Sequence, residues 1–246
     1  MEKRIKKLAT VASCAVLLFP TTMKAQSGTT ITATADVVSN YFWRGENLGG
    51  ISVQPTLGIG IGGLSVSAWG NVGVNKEDTR EFDLTAAYTI KKVNIGITDY
   101  SFVPWDKTAD QSQDVNYFDY SCKSAKSTHV YEANIGYNFG PVSLQWYTNI
   151  GGKDYYKKNS DKRAYSSYLE ADAPFKLGGL DMKAELGITP WDGAYTIKTD
   201  KFSVVDIGLT AKKTVKITDS FSIPAYVKVA ANPEASKAYL IFGITL

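Results

Sequence analysis

From Ile51 to Ile61 the chain reads Ile-Ser-Val-Gln-Pro-Thr-Leu-Gly-Ile-Gly-Ile, with every apolar residue on an odd position and every polar residue or glycine on an even one. A period of two belongs to a β-strand with one face in apolar and one in polar surroundings. Segments of this kind recur to the C-terminus, and the connections between them alternate between short turns and longer polar loops. Membrane-spanning barrels are built this way, so the pattern predicts an all-β chain folded as a single antiparallel transmembrane β-barrel.

Composition enters at the N-terminus. Lys3, Arg4, Lys6 and Lys7 precede an apolar run from Leu8 to Phe19, and Met23-Lys24-Ala25 ends in a small residue. Residues 1–25 therefore read as a secretory signal peptide and residues 26–246 as the barrel. Val11-Ala12-Ser13-Cys14 resembles a lipid-attachment box, but the apolar run continues past Cys14, which favours cleavage after Ala25. Removing the signal takes five of 27 basic and one of 24 acidic residues, leaving 22 against 23. No basic run remains to suggest nucleic acid as a partner, and Cys122, left alone, has no internal disulfide partner. Average hydropathy near zero fits strands of which only half faces lipid.

Parity gives twelve candidate strands. The first is expected from about Thr30 to Arg44, with Tyr41 and Trp43 on its apolar face and Asp36 and Arg44 on its polar face. Short turns are expected at Gly62-Gly63, Lys91-Lys92, Gly140-Pro141, Gly178-Gly179 and Thr218-Asp219-Ser220. Short ends face the periplasm in this class, which would place both termini there. Tyr88, Tyr137, Phe139 and Phe175 would then form the periplasmic aromatic belt, and Tyr41, Trp43, Phe82 and Tyr165 the outer one. Pro55 and Pro224 fall within strands, where each removes a ladder hydrogen bond and predicts a bulge or local distortion.

The inferred lumen face carries Asp36, Asp83, Glu132, Glu170, Asp172, Asp181, Glu185 and Asp206 against Arg44, Lys183 and Lys228. Such an excess of carboxylates predicts cation preference in an open channel; the alternative is an interior in which these groups, with Tyr147 and Tyr168, bond to one another. The segment from Pro104 to Ser127 is the longest loop. Its Trp105, Tyr117, Phe118 and Tyr120 are candidates for a constriction or a ligand platform, with plain loop packing as the alternative. His129, the single histidine, lies at the loop edge with no neighbouring nucleophile, so no catalytic residue is expected. There is no Cys/His cluster, and Asp106, Asp110 and Asp114 lack the glycine and terminal glutamate of a calcium loop, so neither metal nor cofactor is expected.

Val38-Ser39-Asn40-Tyr41-Phe42-Trp43-Arg44-Gly45, followed by Gln54-Pro55 and Ala68-Trp69-Gly70-Asn71, resembles the S-x-Y-x-x-R-G opening of the TorF-type porins, a family of bacterial outer-membrane proteins. The likeness covers the first three strands. It implies an outer-membrane barrel with solute passage and brings no catalytic residues. The expectation is a porin-like channel in the outer membrane of a Gram-negative bacterium, in contact with outer-membrane lipid and passing small hydrophilic solutes, preferentially cations. The other readings are a non-conducting structural or adhesive barrel and, third, a barrel hydrolase. Oligomeric state is left open.

Overall fold

The computed structural model describes Met23–Lys24 and residues 28–75, 78, 80–103, 115–122, 126–158 and 160–246. The signal peptide falls almost entirely outside these residues, as do Trp105, Asp106, Asp110 and Asp114. Twelve long strands form the wall: β1 (Thr29–Val38), β2 (Ser52–Ile61), β3 (Leu64–Gly73), β4 (Arg80–Ile90), β5 (Val93–Val103), β6 (His129–Asn138), β7 (Ser143–Gly152), β8 (Ser167–Leu177), β9 (Leu180–Trp191), β10 (Lys201–Lys216), β11 (Ser222–Asn232) and β12 (Lys237–Thr245). Each pairs antiparallel with its sequence neighbour, and β12 returns to β1 through Gly243–Val38, Ile244–Val37 and Thr245–Asp36. The sheet is thereby closed. Closure lets strands satisfy one another's backbone groups without water, which a bilayer requires. Met23–Lys24 adds a short pairing to Ile31 and Thr30.

The faces divide as the alternation predicts. Along β2, Leu57 is 63% exposed while Ser52 is 1% exposed. The exposed set continues around the wall with Ile59, Val66, Leu84, Ile97, Ile135, Leu209, Val229 and Leu240. An apolar exterior around a polar interior inverts a water-soluble barrel and marks an outer-membrane-type fold. Ten residues of β2 span about 33 Å, or about 25 Å at a tilt near 40°, which matches the apolar band of such barrels.

Connections at one end are tight. Those at the other are longer, except that Pro233–Ser236 between β11 and β12 is as short as a turn. Neither proline bulges the wall: the β1–β2 register runs unbroken through Ala35–Pro55, and the β10–β11 register through Thr214–Pro224. The missing Pro55 N–H points toward β3, where pairing skips Gln54 and Pro55 and resumes at Thr56–Trp69 in the same register. Pro224 sits beyond the last β11–β12 pair, Ala225–Ile244, and leaves no rung broken.

Bulges occur elsewhere, at Asn149/Gly151 in β7 and opposite Gly187/Ile188 in β10. The second is consequential, because Gly187 pairs with Asp206 and Ile188 with Val204, so Val205 is an extra residue. An extra residue reverses the faces that follow it. Val205, which simple alternation would put on the outward face with Ile207, is instead fully buried in an interior cluster with Tyr147, Tyr168 and Tyr195.

Candidate functional site: a hairpin inside the barrel mouth

The first strand does not run to Arg44. It ends at Val38, and Tyr41–Trp43 and Glu46–Gly49 form a separate two-stranded hairpin turning at Arg44-Gly45. Both turn residues are left-handed, with φ of 47° and 85°, as a two-residue hairpin turn of the I′ kind requires. Gly45 has a second reason to be glycine: a Cβ there would lie 1.8 Å from the Val205 carbonyl oxygen. The Val205 bulge is thus what the tip of the hairpin rests on.

Contacts of the hairpin run around the inner wall. The Tyr41 ring lies 5.6 Å from Trp69 of β3, and its hydroxyl donates to Glu81 of β4 at 2.6 Å. Phe42 packs 5.0 Å from Tyr239 of β12, with the Lys228 ammonium of β11 4.7 Å above its ring. Trp43 packs against Tyr100 of β5 and Tyr195 of the β9–β10 loop. Asn232 Nδ2 donates to the Gly45 carbonyl at 3.1 Å. A segment touching strands on all sides of a closed barrel lies within its bore. Tyr41 and Trp43 are therefore lumen residues, unlike the outer-belt positions expected of them, and the aromatics on the outward face at the long-loop end include Phe82, Tyr165, Trp146 and Trp191.

Arg44 is the centre of this arrangement. Its Nη1 donates to Glu132 Oε2 at 2.5 Å and its Nη2 to Glu132 Oε1 at 2.9 Å, while Nη1 also donates to the Tyr195 hydroxyl. Tyr100 fixes the same carboxylate by donating to Oε1 at 2.9 Å. The guanidinium carbon lies 4.0 Å from the Tyr147 ring centre, 4.4 Å from Trp43, 5.0 Å from Tyr168 and 5.5 Å from Tyr195. Planar forks suit both bidentate carboxylates and aromatic faces, which is why arginine is favoured over lysine in such a place. Arg44 and Glu132 are 4% and 1% exposed, so each compensates a charge that would otherwise be stranded.

The other expected lumen residues lie on the inner face. Asp83 is buried beside Glu81 with one carboxylate oxygen unpartnered, and Glu170 is buried next to the Tyr168 position. Asp172, Glu185 and Asp206 join Lys183 and Lys228 in a ladder across β8 to β11: Lys183 lies 3.5 Å from Asp172 and 3.3 Å from Glu185, and Lys228 3.0 Å from Glu185 and 3.6 Å from Asp206. Asp36 accepts a 2.6 Å bond from Thr245 at the β12–β1 seam. Asp181 departs from this set, being exposed near the tight-turn end and paired with Lys176. Lys212 and Glu81, which the expected set of lumen charges omits, are also buried inward. Parity alone was a sufficient signal for both.

The described part of the third long loop, residues 115–122 and 126–128, lies on the outward side of the wall. Its residues Tyr117 and Tyr120 pack on His129, and Tyr117 also on Phe82. Phe82, His129 and Tyr131 are outward positions, alternating with inward Glu81, Asp83 and Glu132. Phe118 is 80% exposed. Among the described residues, then, Tyr117, Phe118 and Tyr120 form an outer collar and no constriction; Trp105 lies outside the described residues. The reason is His129, which is fully buried and no surface group. Its Nδ1 meets Asp99 at 2.7 Å and its Nε2 meets the Tyr117 carbonyl at 2.6 Å. A polar pair on the outward face needs cover from the apolar surroundings, and the loop aromatics supply it.

Two half-buried carboxylates tie the loops. Asp78 accepts from the Gly50 and Asn75 amides at 2.9 and 3.0 Å, and the Gly50 amide chiefly holds its pKa below the usual carboxylate range. Partial burial raises the Glu234 pKa, but amides of Lys198, Thr199 and Ile197 together outweigh it and leave it lowered.

No family model matches the sequence, and no curated protein matches it. Among solved structures, CdiB from Acinetobacter baumannii is similar at 10% identity, over 90% of this chain and 60% of that one, with a TM-score of 0.39. The chain spans about three fifths of that protein. The likeness of Val38–Gly45 to TorF-type porins remains one of the opening segment, and the barrel architecture itself identifies the chain as an outer-membrane-type β-barrel protein.

Proposed function

We propose that the protein is a channel of the outer membrane for small hydrophilic solutes, non-catalytic, with the Tyr41–Gly49 hairpin as its constriction and both termini in the periplasm. One observation carries the reading: the interior is lined by charged and polar side chains around the whole wall, and the described element that crosses it is a single hairpin held by side-chain contacts. Eight-stranded barrels fill with their own side chains and sixteen-stranded ones leave a channel. At twelve strands the inward hairpin sets the bore.

Lumen charge favours cations. In the ladder three carboxylates face two lysines, and near the hairpin Glu81, Asp83, Glu132 and Glu170 surround one guanidinium. Charge on a narrow wall sets ion preference. Reversal potentials across a planar bilayer in a salt gradient test this, with cation selectivity expected at low salt and anion selectivity contradicting it.

A second reading, a non-conducting structural barrel, is favoured by the number of contacts that hold the hairpin. It would prevail if folded protein stayed silent both with the hairpin and with residues 40–50 replaced by a short glycine-serine linker.

A further inference from the structure

Nearly every group around the Arg44 side chain belongs to the barrel and not to the hairpin. Glu132 comes from β6, Tyr100 from β5, Tyr147 from β7, Tyr168 from β8 and Tyr195 from the β9–β10 loop; Trp43 alone travels with Arg44. These groups hold one another in place. Tyr100 orients Glu132 at 2.9 Å, and the Tyr168 ring lies 5.4 Å from Tyr195 and 6.2 Å from Tyr147. Gly187 makes room for the cage: a Cβ there would fall 2.0 Å from the Tyr168 hydroxyl, which is buried without a hydrogen-bond partner. Removing the hairpin would leave a buried carboxylate at the floor of three tyrosine faces, shaped to the fork and flat faces of a guanidinium.

We propose that the inner wall holds a binding site for guanidinium-bearing solutes, in which Arg44 is a tethered occupant that such a solute displaces. Glu132 would take the two-pronged hydrogen bonds, Tyr195 would accept a third, and Tyr147 and Tyr168 would cover the faces of the plane. A bound solute removes the attraction that holds the hairpin tip, so occupancy and withdrawal of the hairpin are linked, each favouring the other. An ammonium head, a compact point charge, would use the carboxylate but neither the fork nor the stacking. As the solute class of a channel this rests on the transport reading above. As a binding site it does not.

The test is calorimetric titration of the refolded full chain in detergent with methylguanidinium and, separately, equimolar methylammonium. Arg44→Ala is expected to bind methylguanidinium at millimolar concentration, at least about tenfold tighter than methylammonium. Adding Glu132→Gln should abolish that binding. Wild type is expected to respond only about tenfold or more higher in concentration, because Arg44 must first leave. Folded Arg44→Ala that does not distinguish the two cations, or that binds equally well with Glu132→Gln, overturns the site; a wild type with no response overturns the exchange. Should Arg44→Ala not refold, its refolding yield is read with each cation: rescue by methylguanidinium alone supports the site, and equal failure with both overturns it. Because binding is read without current, a silent barrel would sink the transport reading and leave this one standing.

Discussion

Two aromatic clusters at the same rim of the barrel, Tyr41–Trp43 and Tyr117–Tyr120, lie on opposite sides of its wall. The first carries Tyr41, Phe42, Trp43 and Arg44 into the bore. The second lays Tyr117 and Tyr120 against the outside. Both clusters are aromatic, so aromatic content alone does not choose the side. Each cluster follows the buried polar group it can satisfy: inward Glu132 takes the guanidinium of Arg44, and outward His129, beside Asp99, meets the Tyr117 carbonyl. Unpaired, either group would be costly to bury.

If that contrast is right, breaking the inner anchor should disturb both stability and conduction, and breaking the outer one stability alone. Arg44→Ala leaves Glu132 buried and uncompensated, which costs about 3–5 kcal/mol. A lower midpoint for heat-induced unfolding, seen as a gel-mobility shift, together with raised conductance, is the expected result. Gly45→Ala should act in the same direction, because its Cβ would collide with the Val205 carbonyl and the tip would have to lift away. His129→Ala should cost about 1–3 kcal/mol by taking the imidazole partner from Asp99 and the Tyr117 carbonyl. Faster proteolysis within residues 115–122 and unchanged conductance would report it; altered conductance would mean that the outer loop reaches the bore after all.

Smaller effects separate the hairpin's individual tethers. Tyr41→Phe removes the bond to Glu81 and should cost about 1–2 kcal/mol without releasing Arg44. The loop tethers of Asp78 and Glu234 depend on pH. Both pKa values are lowered in the folded chain, so their contribution is present above the unfolded carboxylate pKa and is lost as pH falls through the folded values. Protection of the Gly50 and Lys198 amides, read as exchange relative to the intrinsic rate at each pH, should therefore fall on acidification below about pH 4, and Asp78→Asn should remove the Gly50 part of that dependence.

Wall strands were readable because each side chain of a strand such as β2 faces one of two contrasting environments, so Leu57 and Ser52 declare their faces locally. The inner hairpin was not. Tyr41 and Trp43 continue the odd-even alternation of β1 across Ser39-Asn40, and parity cannot tell a lipid-facing aromatic from one packed inside a bore. Arg44-Gly45 held the usable signal, a two-residue turn ending in glycine. Its strength depends on the Val205 bulge, more than 150 residues away, which no local pattern contains. The sidedness of Tyr117 and Tyr120 was hidden for a related reason: it is set by Asp99 and His129, whose shared outward parity marks a polar pair that needs cover but does not say which loop provides it.

The central claim is that the first hairpin lies inside the bore and sets its width. Single-channel conductance of wild type, compared in the same salt with a chain in which residues 40–50 are replaced by a flexible linker, tests it most directly. A several-fold larger conductance without the hairpin, in protein that still shows the heat-dependent mobility shift of a folded barrel, is predicted. Equal conductance of the two folded proteins would contradict it.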